Sequence, residues 1–185
     1  MKLLSTESII LLVDILIFTI YVVYILIKFG IPKNLSASYY AFEEQKKGTG
    51  LLFPALLVFI CTTALPIWIT TTYYASTWTS TFLFCPIVTL VCLLAVAASA
   101  QYKSNTALVY FHYTCAIIAS FCAVLWLCLA AYQIMYIAFG ILGVLLSAGI
   151  ITGTLKKCTL FWLEITAFYC IFFSLLVINI IHLQL

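Results

Sequence analysis

Apolar residues run in long stretches broken at intervals by short polar segments, and the stretches have the length of membrane-crossing helices. A helix rising 1.5 Å per residue needs about 20 apolar residues to cross roughly 30 Å of hydrocarbon. Six runs meet that requirement, at 9–27, 51–69, 82–100, 107–130, 134–155 and 160–181. The pattern predicts an all-α membrane protein, an up-and-down bundle of six transmembrane helices in a single domain spanning 1–185. The fourth and fifth runs are separated only by inference: residues 106–155 contain no Lys, Arg, Asp or Glu, and as one helix they would make a rod of about 75 Å. The chain must therefore turn back, and Tyr132, Gln133 and Tyr136 mark the least apolar point, where a tight helical hairpin is expected.

The polar segments carry their own signals. Lys28, Gly30 and Pro32 end the first run, and the loop 28–50 is expected on the cytoplasmic side. Within it Ser36 or Ser38 can cap a short helix that Tyr39, Tyr40 and Phe42 would press onto the membrane face. Residues 70–81 are uncharged and rich in hydroxyls, with Tyr73, Tyr74 and Trp78 placed as an interfacial girdle. The first run is longer than a secretory signal's apolar stretch, contains Asp14 and has its lysines on the far side, so it reads as a retained helix.

Composition agrees with lipid as the solvent. Hydrophobic residues make up 66% of the 185 and charged residues 7%, against about 45–50% and 25% in soluble domains. All eight basic residues are Lys, and the planar guanidinium fork that reads phosphate is missing. A nucleic-acid partner or a lipid-phosphate enzyme is therefore not expected. With six spans, Lys28, Lys33, Lys46, Lys47, Lys103, Lys156 and Lys157 share one side, and Lys2 stands alone on the other. Positive charge in short loops marks the cytoplasm, so the first, third and fifth loops should face inward and both termini outward, in a bacterial-type inner membrane.

Cysteines invite a metal or redox reading that their spacing does not support. Of eight, Cys61, Cys85, Cys92, Cys115, Cys122, Cys128 and Cys170 fall inside predicted spans, Cys158 lies at a loop edge, and no CxxC pair occurs. They read as small apolar packing residues, and no cofactor or metal is expected. The fifth span has a packing signature in Gly140, Gly143, Ser147, Gly149 and Gly153, which includes a GxxxG. That helix is expected to be central or to form a contact face, within one chain or between copies. Ala97, Ala98, Ser99 and Ala100 read similarly at the end of the third span.

Three titratable residues lie inside spans: Asp14, His112 and Glu164. Such groups are costly in hydrocarbon and usually have a partner inside the bundle. Glu164 lies about 10 Å and His112 about 13 Å in from the Lys-rich side, which puts them at one level and predicts a pair. Asp14 enters about 9 Å from the opposite face, where Thr70, Tyr132, Gln133 or Tyr136 are its expected neighbours. Functionally the three could form an ion or proton path; structurally they would fix helix rotation.

Enzyme readings fit less well. An intramembrane zinc hydrolase needs several His ligands, and His112 and His182 sit at opposite faces, which also argues against bis-His haem. Serine catalysis would need Ser120 or Ser147 facing His112, without any GxSxG motif.

The loop Gly30-Ile31-Pro32-Lys33-Asn34-Leu35-Ser36-Ala37-Ser38-Tyr39-Tyr40, an aromatic-rich second span, and a third span ending in small residues before His112-Tyr113 together carry a resemblance. Over its first two thirds the chain resembles uncharacterised small membrane proteins of gut bacteria and their tailed phages, which implies no activity. The expectation is a non-enzymatic integral membrane protein with the bilayer as its main partner. It would act through helix contacts, as a homo-oligomer or an accessory subunit of another membrane protein. A small ion- or proton-coupled transporter or channel using Asp14, His112 and Glu164 is the alternative, and an intramembrane hydrolase a third.

Overall fold

The computed structural model describes residues 5–75, 82–129, 135–154 and 156–182. They are helical throughout, with α1 Thr6–Phe29, α2 Ser38–Gln45, α3 Leu52–Ala75, α4 Phe84–Ala98, α5 Thr106–Leu129, α6 Met135–Ile151 and α7 Thr159–His182. Four segments, Thr6–Phe29, Thr49–Tyr73, Thr106–Leu129 and Thr159–Ile180, are long and apolar enough to cross a membrane. The apolar helices α4, 15 residues, and α6, 17 residues, are shorter. Tyr132 and Gln133 of the expected hairpin, and most of the segment 70–81 beyond α3, lie outside the described residues.

Local chemistry sets the boundaries. Ser5 caps α1 by accepting from the Ser8 N–H at 3.1 Å, and Gly30, at φ 76°, closes it in a conformation that costs glycine little. Glu43 accepts from the N–H groups of Gly48 and Gly50 at 2.9–3.1 Å, which folds the loop back from α2 into α3. A Cβ on Gly50 would stand 2.8 Å from the Tyr39 carbonyl, so only glycine fits there.

Helix α2 is present, and its aromatic residues turn into the protein rather than onto a membrane face. Tyr39 and Phe42 are buried. Phe42 stacks on Tyr24 at 5.7 Å and meets Phe29 edge-on at 5.1 Å, closing the end of α1.

Hydrogen bonds between distant segments sort the bundle into two ends. At one, the Gln101 amide donates to Tyr39 at 2.6 Å and the Lys103 N–H to Tyr40 at 2.7 Å. There too the Phe161 N–H donates to the Lys33 carbonyl at 3.2 Å, and Trp162 to Thr154 at 3.2 Å. At the other, Trp126 donates to Thr72 at 2.8 Å and Asn179 to Thr71 at 2.9 Å. In chain order α4 leads to the Gln101 end, packed along α5, and α6 leads to Thr154 at that same end, packed along α7. Lys28, Lys33, Lys46, Lys47, Lys103, Lys156 and Lys157 all belong to the first end.

The centre is not the helix that small residues suggest. Helix α7 packs against α1, α3, α5 and α6, and α3 against α1, α2, α4 and α7, whereas α6 packs extensively on α7 alone. Gly140, Gly143, Ser147 and Gly153 are exposed and only Gly149 is buried. A Cβ on Gly140 or Gly143 would meet nothing within 4 Å. Small residues instead close the α4–α5 seam, where buried Cys85 and Cys92 face Cys115, Ala119 and Cys122. Apolar side chains also form the outer surface, as with Ile27, 81% exposed, and Phe121, 65%. Lipid makes such a surface stable where water would not.

Candidate functional site

Helices α3, α4, α5 and α7 enclose a cavity of about 430 Å³, within the usual range of small-molecule sites. Its walls are almost wholly apolar. Its polar groups gather toward the Lys-rich end, where Glu164, His112 and Ser36 line it, and Trp68 lines it nearer the other end. Ile117, Ser120 and Val124 on α5, with Leu160 and Leu163 on α7, are cavity-lining residues that are also exposed. The cavity therefore opens sideways between α5 and α7.

Glu164 projects from the first turns of α7 beneath the loop that follows α1. Its Oε2 accepts from the Leu35 N–H at 2.6 Å. Leu35 opens a single 3-10 turn, Leu35–Ala37, that Asn34 caps by accepting from the Ala37 N–H at 2.8 Å. The loop is fixed to α7 again by Phe161 donating to Lys33. Glu164 Oε1 has no hydrogen-bond partner among the described residues.

His112 is buried on α5, with Nδ1 3.0 Å from Ser99 Oγ. Ser99 Oγ also donates to the Ala95 carbonyl at 2.7 Å, and the imidazole lies against the backbone of Ser99 and Val96 as well. Tyr102, from the α4–α5 connection, stacks on the imidazole with centroids 4.3 Å apart. Its hydroxyl bonds with Asn34 and Ser36, and its pKa is pushed up to about 12, by burial first and by neighbouring Tyr113 second.

The expected His112–Glu164 pair is thus not a direct contact. Both side chains line one cavity, but Glu164 bonds to Leu35 and His112 to Ser99, with the turn at Leu35 and Tyr102 linking the two groups. Depth along the helices predicts one level for the two residues, and both line the cavity. It missed the loop that folds inward between them, because a loop's path is not periodic.

Asp14 stands apart. It is fully buried on α1, and its Oδ1 accepts from Thr63 at 2.8 Å, not from Thr70, while Oδ2 has no partner among the described residues. Of its other expected neighbours, Tyr132 and Gln133 lie outside those residues, as does the Tyr136 side chain. Asp14 does not line the cavity, and α1 contributes none of its walls. Thr62 and Thr63 are the two hydroxyls midway along this apolar span, and helix rotation turns Thr63 to Asp14 while Thr62 is exposed.

Cysteines provide packing here: Cys61, Cys85, Cys92, Cys115, Cys122 and Cys170 are buried free thiols. Among the described residues no group of three His, Cys, Asp or Glu is arranged to hold a metal. Comparison with protein-family models, curated proteins and solved structures gives no match. The site is therefore read from its own geometry.

Proposed function

We propose that the chain is a six-span integral membrane protein, Lys-rich end in the cytoplasm and termini outside, that binds an apolar molecule from the bilayer without chemically changing it. The observation that carries this reading is the cavity between α3, α4, α5 and α7, lined mainly by apolar side chains, open between two helices, with Glu164, His112 and Ser36 toward one end. An opening through exposed Ile117 and Leu163 gives access from hydrocarbon rather than from water. The seven lysines at one end support the orientation, in a bacterial-type inner membrane.

Transport and catalysis have less support. A path between the acids would need a cavity reaching both levels, and Asp14 lies outside this one. Catalysis would need a nucleophile whose proton His112 could take. Ser99, 3.0 Å from His112, does not line the cavity, and Ser120 donates to the Ala116 carbonyl at 2.9 Å. Assembly through α6 is a second reading, favoured by the exposed face of Gly140, Gly143 and Ser147.

Photolabelling tests the binding reading. An alkyl-diazirine probe added to the protein in nanodiscs should label peptides containing Cys61, Trp68 and Ala123, and Ala167→Phe, which fills the cavity, should remove that labelling. Labelling confined to lipid-facing residues such as Ile20 and Phe121, indifferent to the substitution, would overturn it.

A further inference from the structure

The geometry points to one class of ligand, and we propose it as a deepening of the binding reading on which it rests: a single-chain amphiphile whose head donates a hydrogen bond, a hydroxyl or an ammonium, and not a carboxylate or phosphate. A carboxyl group stands at the polar part of the cavity. Glu164 has one oxygen taken by the Leu35 N–H and the other without a partner among the described residues. His112 lines the same part of the cavity, with its Nδ1 3.0 Å from Ser99 Oγ. No Lys lines the cavity. Lys103, the lysine of the α4–α5 connection, holds its ammonium 4.2 Å above the Tyr40 ring instead. An anionic head would thus face a carboxyl group with no lysine to offset it, whereas a donor head completes the free Glu164 oxygen.

The remaining walls fit a chain. From Glu164 to Phe172 the cavity follows α7 for eight residues, about 12 Å of helix, between apolar side chains of α3, α4 and α5. The sideways opening between α5 and α7 suits a molecule that arrives from the bilayer with its tail in hydrocarbon. Its head would lie on the Lys-rich side, at the depth of Glu164. A two-chain lipid would have to place both tails in about 430 Å³, so one chain is assigned.

The test uses four diazirine probes with the same alkyl chain, ending in a hydroxyl, an amine, a carboxylic acid or no head, on the full chain in nanodiscs at pH 7.5. Wild type should take up the alcohol, the amine or both about tenfold better than the acid and the headless chain, the factor one well-made hydrogen bond supplies. Glu164→Gln is informative because its single oxygen would stay with the Leu35 N–H, presenting an NH2 donor to the ligand. The preference for donor heads should then shrink to about unity or invert toward the acid. Equal uptake of acid and alcohol by wild type, or a preference unchanged in Glu164→Gln, overturns the assignment. If the headless chain labels the cavity as well as the alcohol, the head assignment fails while the binding reading stands; if no probe labels it, both fail. Ala167→Phe, which leaves Glu164 in place, should abolish cavity labelling by every probe, and labelling that survives it overturns the assignment of the tail to this cavity.

Discussion

Asp14 illustrates how a single buried acid is held in this bundle. Thr63 donates to its Oδ1 at 2.8 Å, and the same hydroxyl can turn to the Phe59 carbonyl at 2.9 Å when no acid is present. The two partners are therefore unequal: Thr63 has a second acceptor, Asp14 has no second donor among the described residues. Thr63→Val should destabilise the folded protein by about 1–3 kcal/mol, because it leaves a fully buried carboxyl without a donor. Asp14→Leu should cost less, or stabilise, because it removes the polar group altogether. Thermal unfolding in detergent micelles measures both, and the idea fails if Asp14→Leu is the more damaging change. The sequence gives good access to which residues are in this situation, since an acid inside an apolar run is visible at once. It gives poor access to their partners. Thr63, Ser99 and Tyr102 are ordinary polar residues, and only the rotation of each helix and the path of each loop turn them toward Asp14 or His112.

At the level of elements, the long apolar runs were legible because a membrane-spanning helix needs length and hydropathy, both local properties. Which helix is central was not, because centrality depends on how many neighbours pack around it. The glycines of α6 suggested a core helix, yet its inward stripe is Ile141, Leu145 and Ala148 with Gly149, and Gly140, Gly143 and Ser147 face outward. Glycine permits close approach; it does not create a neighbour. The contrast with the α4–α5 seam yields a paired prediction. Ala119, 4% exposed, sits against α4 beside Cys122, so Ala119→Leu should cost about 1–3 kcal/mol through overpacking. Gly143→Leu should leave monomer stability nearly unchanged, since nothing lies within 4 Å of its added Cβ. If copies associate through α6, Gly143→Leu should also shift the protein to monomer in light scattering. A dimer that persists would rule out this face as its interface.

Across the whole molecule, the two ends of the bundle are joined in chain order by helices. Helix α3 finishes at the end marked by Thr71 and Thr72, and α5 starts beside Tyr40 at the Lys-rich end. If α4 did not cross, those two ends of the chain could not be connected through its 15 residues. The same holds for α6, which leads from the end of α5 back to Thr154 beside Trp162. Both helices are short, about 22 and 26 Å at 1.5 Å per residue, so a bilayer around them would have to thin locally or admit polar flanking residues. The proposed topology therefore places six crossings in a chain where four helices among the described residues have full spanning length. Fusions of a fluorescent reporter, active only in the cytoplasm, and of a phosphatase, active only outside, distinguish the alternatives. The fluorescent reporter should work after Lys47, Lys103 and Lys157, and the phosphatase after Thr77, Tyr132 and Leu185. Four crossings, with α4 and α6 lying along the surface, would change the side assigned to at least one of these loops. They would also split the seven lysines between two faces, against the charge asymmetry that sets orientation. A phosphatase signal after Lys103 is thus the result that the six-span arrangement could not survive.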